Sequence, residues 1–359
     1  MRLQVSRWGA LTALGADFEA ICEGRSGFVA DETWDSAWLA PIALRTGVPR
    51  NLALALNALH GLDVEARDLA VVVATTTGGM VEGELAIEEV FFGRVPHRPP
   101  DYYWNTLLHH LADAIAAHFG ATGPRLVVST ACTSGTAAIG IAADYVRSGR
   151  AKRALVVGVD ALCKTTVFGF RSLGVYTRQG CRPFDRLRDG MGIGEAAGWL
   201  LVEPWETSSK IELLGVGLSS DAQHLTAPDP LGAGLERAIR VALGGTALER
   251  VDHVNAHATG TLQNDAAEAA VLKRILPDAA VSATKGATGH TLGAAGVIEA
   301  VFTIESMLRE VIPPVVGLQQ PLEVAVSDRL RGRHQRVALS LNLAFGGHNA
   351  AVAFARADR

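Results

Sequence analysis

The chain has 359 residues, of which 48% are hydrophobic and 19% charged, and its formal net charge is −4. A chain of this length and composition can bury a large core, as one large domain or as two fused halves. The small negative charge gives no reason to expect nucleic-acid binding. No apolar run is long enough to span a membrane, and residues 1–7 do not resemble a signal peptide. The cysteines are few and scattered, so we expect a reducing, cytoplasmic compartment.

Strand-like and helical segments alternate along the chain, which predicts an α/β protein with mostly buried sheets. We expect irregular structure over residues 28–50, a loop over residues 95–103 and a mobile aromatic flap over residues 161–180. Uninterrupted β-branched runs predict buried strands, at residues 69–74, 126–128 and 154–160. Helical periodicity is seen at residues 51–60, 81–91, 105–119 and 136–147.

The C-terminal part repeats this arrangement. Residues 251–260 and 281–290 each predict a strand that passes into a turn, and helices are expected at residues 265–275 and 292–310. The helices after Cys132 and after His290 both follow a strand and a turn of small residues. This similarity predicts two related βα halves whose small-residue helices pack closely at the centre.

Cys132 lies where a predicted strand passes into a helix, and its neighbours are small. The free N–H groups and the dipole of a helix N-terminus favour the thiolate, which is the nucleophilic form of cysteine. A lone cysteine is more often a buried structural residue. The four cysteines form no C-x-x-C pair, so we expect neither a disulfide framework nor a zinc knuckle.

Three further polar residues, His257, Lys285 and His290, also follow predicted strands, and strand ends are where α/β folds gather their chemistry. A nucleophilic cysteine with two imidazoles suits acyl transfer through a thioester. Each histidine alone is more often a satisfied polar group, and the spacing does not support a zinc site. The residues themselves indicate a thiol acyltransferase and leave protease, amidase and condensing enzyme open.

Several motifs resemble those of the β-ketoacyl-[acyl-carrier-protein] synthases of the elongating type, in the thiolase-like superfamily. They are the nucleophile motif, the two histidine motifs, the C-terminal Gly-rich loop and two further blocks, at residues 130–135, 254–261, 284–296, 345–349, 182–190 and 219–224. The resemblance implies a thiolase-like, five-layered α-β-α-β-α fold. Residues 1–203 would form the half that carries the nucleophile, and residues 204–359 the half that carries both histidines.

The resemblance also implies a role for each catalytic residue. Cys132 takes an acyl group from the phosphopantetheine arm of an acyl carrier protein. His257 and His290 hydrogen-bond the thioester of a malonyl extender and promote its decarboxylation. Lys285 supplies a supporting charge and pairs with Glu299.

Residues around this group are implied to bind or gate the substrate. Phe345 and Gly346 belong to the oxyanion and gating loop, in which the Phe345 N–H joins that of Cys132. Thr259 and Thr261 contact the pantetheine arm. We expect no metal and no cofactor other than the phosphopantetheine that carries the substrates.

By the same resemblance the chain is a condensing acyltransferase of fatty acid or polyketide biosynthesis, including polyene biosynthesis. Its partners would be an acyl carrier protein and a second subunit, in a homodimer or in a heterodimer with a related synthase subunit. The alternative is a chain-length-factor-like subunit that shapes the pocket of a partner synthase. Such subunits usually lack the nucleophile, so Cys132 and both histidines argue against it.

Overall fold

The computed structural model describes residues 1–16, 18–44, 47–93, 104 and 106–357. The loop expected over residues 95–103 therefore lies outside the described residues. In the part of the chain that is described, no helix is both long and apolar enough to cross a membrane.

The described residues form strands that we number in chain order: β1 (Leu3–Leu11), β2 (Val29–Asp31), β3 (Ala37–Ala40), β4 (Leu69–Ala74), β5 (Arg125–Val128), β6 (Arg153–Asp160), β7 (Ile193–Gly194), β8 (Ala196–Pro204), β9 (Ile211–Ser220), β10 (His253–Asn255), β11 (Ala280–Ser282), β12 (Val311–Ile312), β13 (Arg331–Gly332), β14 (Val337–Ala344) and β15 (His348–Arg356). The α-helices are α1 (Phe18–Cys22), α2 (Arg50–Ala58), α3 (Met80–Phe91), α4 (Leu108–Phe119), α5 (Ser134–Arg147), α6 (Lys164–Ser172), α7 (Ala233–Leu243), α8 (Leu262–Ile275), α9 (Lys285–Thr288) and α10 (Ala295–Arg309).

One mixed sheet has the strand order β11-β10-β14-β15-β9-β1-β8-β6-β4-β5. The sheet consists of two sets of five strands, β1-β8-β6-β4-β5 and β9-β15-β14-β10-β11, that meet at its centre. In each set, counted outward from the centre, the first two strand pairings are antiparallel and the last two are parallel. The two sets join where Leu3 pairs with Leu213 and Gln4 with Glu212. The exact division of the chain after residue 203 stays a prediction.

Strand β4 and nearly all of β6 are buried on both faces, as their β-branched sequences predict, whereas Leu126 and Val127 of β5 are only partly buried. In β4, Ala70, Val72 and Ala74 face one core cluster, while the alternate residues face α2 and α4 on the other side. A third cluster packs α7 and α8 against β14 and β15. With α5 and α10 between the two parts of the sheet, this gives the predicted layered α/β architecture.

The central helices α5 and α10 cross at two glycines. A Cβ atom on Gly135 would lie 2.6 Å from the backbone nitrogen of Val297, and one on Gly296 would lie 2.4 Å from that of Thr136. Only glycine permits this backbone approach. The predicted close packing of small-residue helices is confirmed, and it brings the first turns of the two helices together.

One sequence prediction was wrong. Residues 28–50 are not irregular throughout, because β2 and β3 form a small sheet in which Leu39 pairs with Ile193 of β7. The predicted flap contains helix α6, whose Val167 is fully buried in a cluster with Leu39 and Leu292, and its mobility stays a prediction. Tertiary packing of a few apolar side chains stabilises these short elements, and local periodicity does not show it.

Candidate active site

Most of the predicted site residues stand at the ends of strands, as expected. His290 does not, because the short helix α9 separates it from β11. Cys132 lies between β5 and the first turn of α5, and His257 follows β10. Lys285 begins α9 just after β11, and Phe345 follows β14. Because β10, β11 and β14 are parallel neighbours, their carboxyl ends meet at one edge of the sheet.

Cys132, His257 and His290 meet at one point. The sulfur and one ring nitrogen of each histidine all lie within 4.8 Å of one another. The two imidazole rings are 5.3 Å apart between centroids and nearly perpendicular, at 85°. All three residues line a cavity of about 730 Å³, together with Thr259, Thr261 and Phe345. The structure thus joins a nucleophile from one half to two imidazoles from the other.

Both histidines have Nδ1 occupied by a donor. The Leu292 N–H donates to Nδ1 of His290 over 3.0 Å, and Lys285 Nζ lies 3.2 Å from Nδ1 of His257. Burial lowers the pKa of both imidazoles, and the Lys285 charge lowers it further. Each ring is therefore neutral with its proton on Nε2, which makes both of them hydrogen-bond donors.

Lys285 is held in a buried polar chain. Its ammonium group pairs with Oε1 of Glu299, as predicted, and both side chains are at most 3% exposed. The Asn342 side-chain NH₂ donates to Oε2 of Glu299 over 2.7 Å, and the Thr136 hydroxyl donates to Oδ1 of Asn342 over 2.5 Å. This series of bonded side chains begins at the first turn of α5 and ends at His257. It therefore links the helix that follows the nucleophile to the imidazole.

The surroundings of Cys132 act against the thiolate that the helix N-terminus was expected to favour. The residue is half-buried and lines the cavity. Burial raises the pKa of the thiol to about 12, with Asp160 and Glu299 adding to the rise and Lys285 opposing it. The dipole of a helix N-terminus is worth at most ~2 kcal/mol and does not overcome that desolvation. Burial thus favours the protonated form of the thiol and opposes the helix N-terminus, and the thiolate at Cys132 stays a prediction.

The loop after β14 is fixed at several points. The Phe345 ring packs on Phe170 with centroids 5.8 Å apart. Gly346 and Gly347 adopt φ values of 88° and 76°, which glycine adopts without strain. The Gly346 N–H donates to the Leu225 carbonyl over 2.7 Å. Gly346 is exposed and does not line the cavity, whereas Phe345 does.

Comparison with known proteins agrees with this geometry. The sequence model described as "Beta-ketoacyl synthase, N-terminal domain" matches residues 57–208, and "Beta-ketoacyl synthase, C-terminal domain" matches residues 211–319. The chain belongs to the beta-ketoacyl synthase family. Members of this family are condensing acyltransferases, so the class of enzyme predicted from the motifs is confirmed.

Individual members of the family resemble the chain over most of its length. The 3-oxoacyl-[acyl-carrier-protein] synthase 2 of Synechocystis sp. is 34% identical over 316 residues, which cover 81% of this chain and 76% of that protein. The protein of the same name from Vibrio cholerae is 32% identical over 338 residues, covering 85% of this chain and 81% of that one.

Solved structures of ketosynthases share the fold. A chain of the ketosynthase–chain length factor complex from Xenorhabdus doucetiae superposes with a TM-score of 0.89 at 28% identity, covering 99% of this chain and 98% of that chain. A chain of the ishigamide ketosynthase/chain length factor gives 0.90, also at 28% identity and with the same coverage. These matches confirm the thiolase-like fold of this family member.

Sequence reasoning missed the carboxylates behind the site of this family member. Glu268 accepts the N–H groups of His257 and Ala258, each over 2.7 Å, and so supports Ala258 at its unusual φ of 30°. Burial raises the pKa of Glu268 to about 7. The available signal was its position three residues after Asp265 on α8, which places both carboxylates on one helix face.

Among the described residues, Cys132, His257 and His290 are the one group of side chains whose ligand atoms lie close enough together to hold a metal ion. Zinc binds thiolate sulfur and needs ligands at about 2.0–2.3 Å. The three residues are far apart along the chain and lack the closely spaced ligand pairs that are typical of zinc sites. A site that works without metal therefore stays our prediction.

Proposed function

We propose that the chain catalyses decarboxylative Claisen condensation between an acyl group on Cys132 and malonyl-acyl carrier protein. The observation that carries the proposal is the pair of neutral imidazoles, His257 and His290, directed at one point beside the nucleophile. Relatives that are named 3-oxoacyl-[acyl-carrier-protein] synthase 2 support it.

The first half-reaction would transfer the acyl group to Cys132. The sulfur attacks the acyl thioester carbonyl, the carbon–sulfur bond to pantetheine breaks, and the thiol proton ends on the departing pantetheine sulfur. Because burial favours the protonated thiol, this proton would leave as the bond forms. The N–H groups of Cys132 and Phe345 would stabilise the tetrahedral oxyanion.

The second half-reaction would form the carbon–carbon bond. The malonyl thioester oxygen accepts the Nε2–H bonds of His257 and His290, and loss of CO₂ leaves an enolate whose charge these bonds stabilise. The enolate carbon attacks the acyl carbonyl on Cys132, and the cysteine leaves as a thiolate that takes up a proton. The two Nε2–H donors are held in place before the reaction, so no solvent has to reorganise as the negative charge develops.

The proposal includes two protein partners. An acyl carrier protein would deliver its pantetheine arm along Thr259 and Thr261, which line the cavity. The second subunit would be another copy of this chain or a related synthase subunit; two of the solved relatives are ketosynthases with chain length factors. No metal or cofactor other than the carried phosphopantetheine is proposed. The four free cysteines fit a reducing, cytoplasmic location.

The rival function is a chain-length-factor-like subunit without condensing activity. It would not need Cys132 in reach of two imidazoles, so the geometry favours the enzyme. The acyl groups that the cavity accepts determine whether the product is a fatty acid, a polyene or another polyketide.

The deciding experiment is intact-protein mass spectrometry after mixing with a panel of acyl carrier-protein thioesters, followed by malonyl-acyl carrier protein. We expect a mass gain equal to the acyl group, absent from Cys132→Ala, and a 3-oxoacyl product from the wild type alone. Cys22→Ala is the matched control and should be acylated normally. Absence of any adduct on the wild type, also when it is paired with a related synthase, would favour the rival function.

A further inference from the structure

Asp160 is a buried carboxylate behind the site to which the mechanism gives no role. It ends β6 and has no exposed surface. Its Oδ1 accepts the hydroxyl groups of Thr75 and Thr77 and the N–H of Thr77, over 2.7 to 2.8 Å. Its Oδ2 accepts the N–H of Thr76 over 2.9 Å and that of Gly293 over 2.6 Å.

The bond to Gly293 crosses between the two halves of the chain. The three threonines follow β4 in the N-terminal half, whereas Gly293 comes three residues after His290 in the C-terminal half. The junction is tight, because a Cβ on Gly293 would lie 2.7 Å from the Thr76 nitrogen and 2.8 Å from Asp160 Oδ2. The carboxylate thereby fixes the backbone immediately after the histidine.

That backbone sets the state of the imidazole. Leu292, next to Gly293, adopts a left-handed φ of 52°, which is unusual for a leucine. In this conformation its N–H donates to Nδ1 of His290 over 3.0 Å. If the turn relaxed, Nδ1 would lose its donor and the ring could place its proton on either nitrogen.

We propose that Asp160 is a positioning residue that acts through Gly293 and Leu292 to hold His290 as an Nε2–H donor. Malonyl decarboxylation therefore depends on Asp160 more strongly than acylation of Cys132 does. The kinetic part of this inference rests on the proposed function, whereas the control of the His290 tautomer does not.

The test variant is Asp160→Asn. Oδ1 accepts more donors than Oδ2 does, so the amide oxygen will occupy the Thr75–Thr77 side and the NH₂ group will face the Gly293 N–H. Asp185→Asn is the matched control: Asp185 is equally buried and accepts the N–H groups of Leu187, Gln319 and Gln320, but does not line the cavity.

Two readouts separate positioning from general structural support. In ¹⁵N-histidine NMR spectra, Asp160→Asn should lose the pure Nε2–H signature of His290. Malonyl decarboxylation should fall roughly 10- to 100-fold, as is typical when a catalytic group is displaced, while the acylation rate changes far less. Asp185→Asn should change neither the tautomer nor the ratio of the two rates.

An Asp160→Asn protein with the wild-type tautomer would overturn the proposal. So would an equal fall of the two rates. If the wild type itself does not decarboxylate malonyl thioesters, the proposed function fails, but the NMR result still decides the role of Asp160. Should Asp160→Asn not fold, Thr75→Val, which removes one donor to the same carboxylate, must alter the tautomer and the ratio in the same direction, or the proposal fails.

Discussion

Lys285 Nζ lies 3.2 Å from Nδ1 of His257 and is fixed there by its ion pair with Glu299. An ammonium group has only donors, so His257 Nδ1 must be the acceptor. One buried lysine thus sets the tautomer of the imidazole and neutralises a carboxylate that has little access to water. The supporting role predicted for Lys285 therefore consists of fixing the His257 tautomer and neutralising Glu299.

Lys285→Met should therefore lower both stability and decarboxylation. Removing one partner of a buried ion pair leaves the other charge unpaired and costs about 3–5 kcal/mol of the free energy of unfolding. Urea unfolding and a malonyl decarboxylation assay measure the two effects. Lys273→Met is the control, since the pair between Lys273 and Glu323 is exposed and its loss should not be measurable. Equal effects of the two substitutions would contradict the prediction.

His290→Ala should separate the two half-reactions. The Nε2–H of His290 is proposed to stabilise the enolate, so decarboxylation should fall by about 10²-fold, in the range typical for loss of one oxyanion donor. Acylation of Cys132 should change much less. Single-turnover mass spectrometry follows the acyl adduct, and CO₂ release follows the second step. Losing both steps to the same extent would rule out the role assigned to His290.

The Cys132 thiol predicts a loss of stability at alkaline pH. Its pKa is raised to about 12 from an ordinary value of 9.0, so the native protein keeps a proton that the unfolded chain loses. This stabilisation is present below pH 9 and is lost as the pH rises towards 12. In that window the free energy of unfolding should fall by up to about 1.4 kcal/mol per pH unit for this one group. Cys132→Ala should reduce the slope measured by urea unfolding, and an unchanged slope would count against it.

The glycine crossing of α5 and α10 gives a further test. Gly296→Ala places a methyl group 2.4 Å from the Thr136 nitrogen, so we expect a loss of at least about 1–3 kcal/mol from overpacking. Gly169→Ala in α6 meets no atom within 4 Å, and there alanine should add about 0.5–1 kcal/mol through helix propensity. Thermal unfolding of the two variants should shift in opposite directions; a shift in the same direction would show that the crossing tolerates a side chain.

The sequence was sufficient for the residues whose signal is local. Cys132, His257 and Lys285 each stand in a short motif at a strand end, and the parallel strands bring those ends together. Asp160 could not be found in this way, because its partners at Thr75–Thr77 and Gly293 are far from it along the chain. The strands β2 and β3 are too short to show a period of two.

The protonation state of the nucleophile was also beyond the sequence. The helix N-terminus next to Cys132 is visible in the residue pattern, but the desolvation of its sulfur depends on what packs around it in three dimensions. The same holds for Glu268, whose support of Ala258 depends on how α8 lies against the end of β10.

The nucleophile and the two imidazoles come from opposite sides of the Gly135–Gly296 crossing. A small rotation of α5 against α10 would move Cys132 away from both histidines at once, although no residue that lines the cavity had been substituted. Substitutions deep in this helix interface should therefore slow the enzyme with little change in its apparent affinity for substrate. In a screen for altered substrate range, these substitutions would lower activity towards every substrate, although they lie outside the cavity wall.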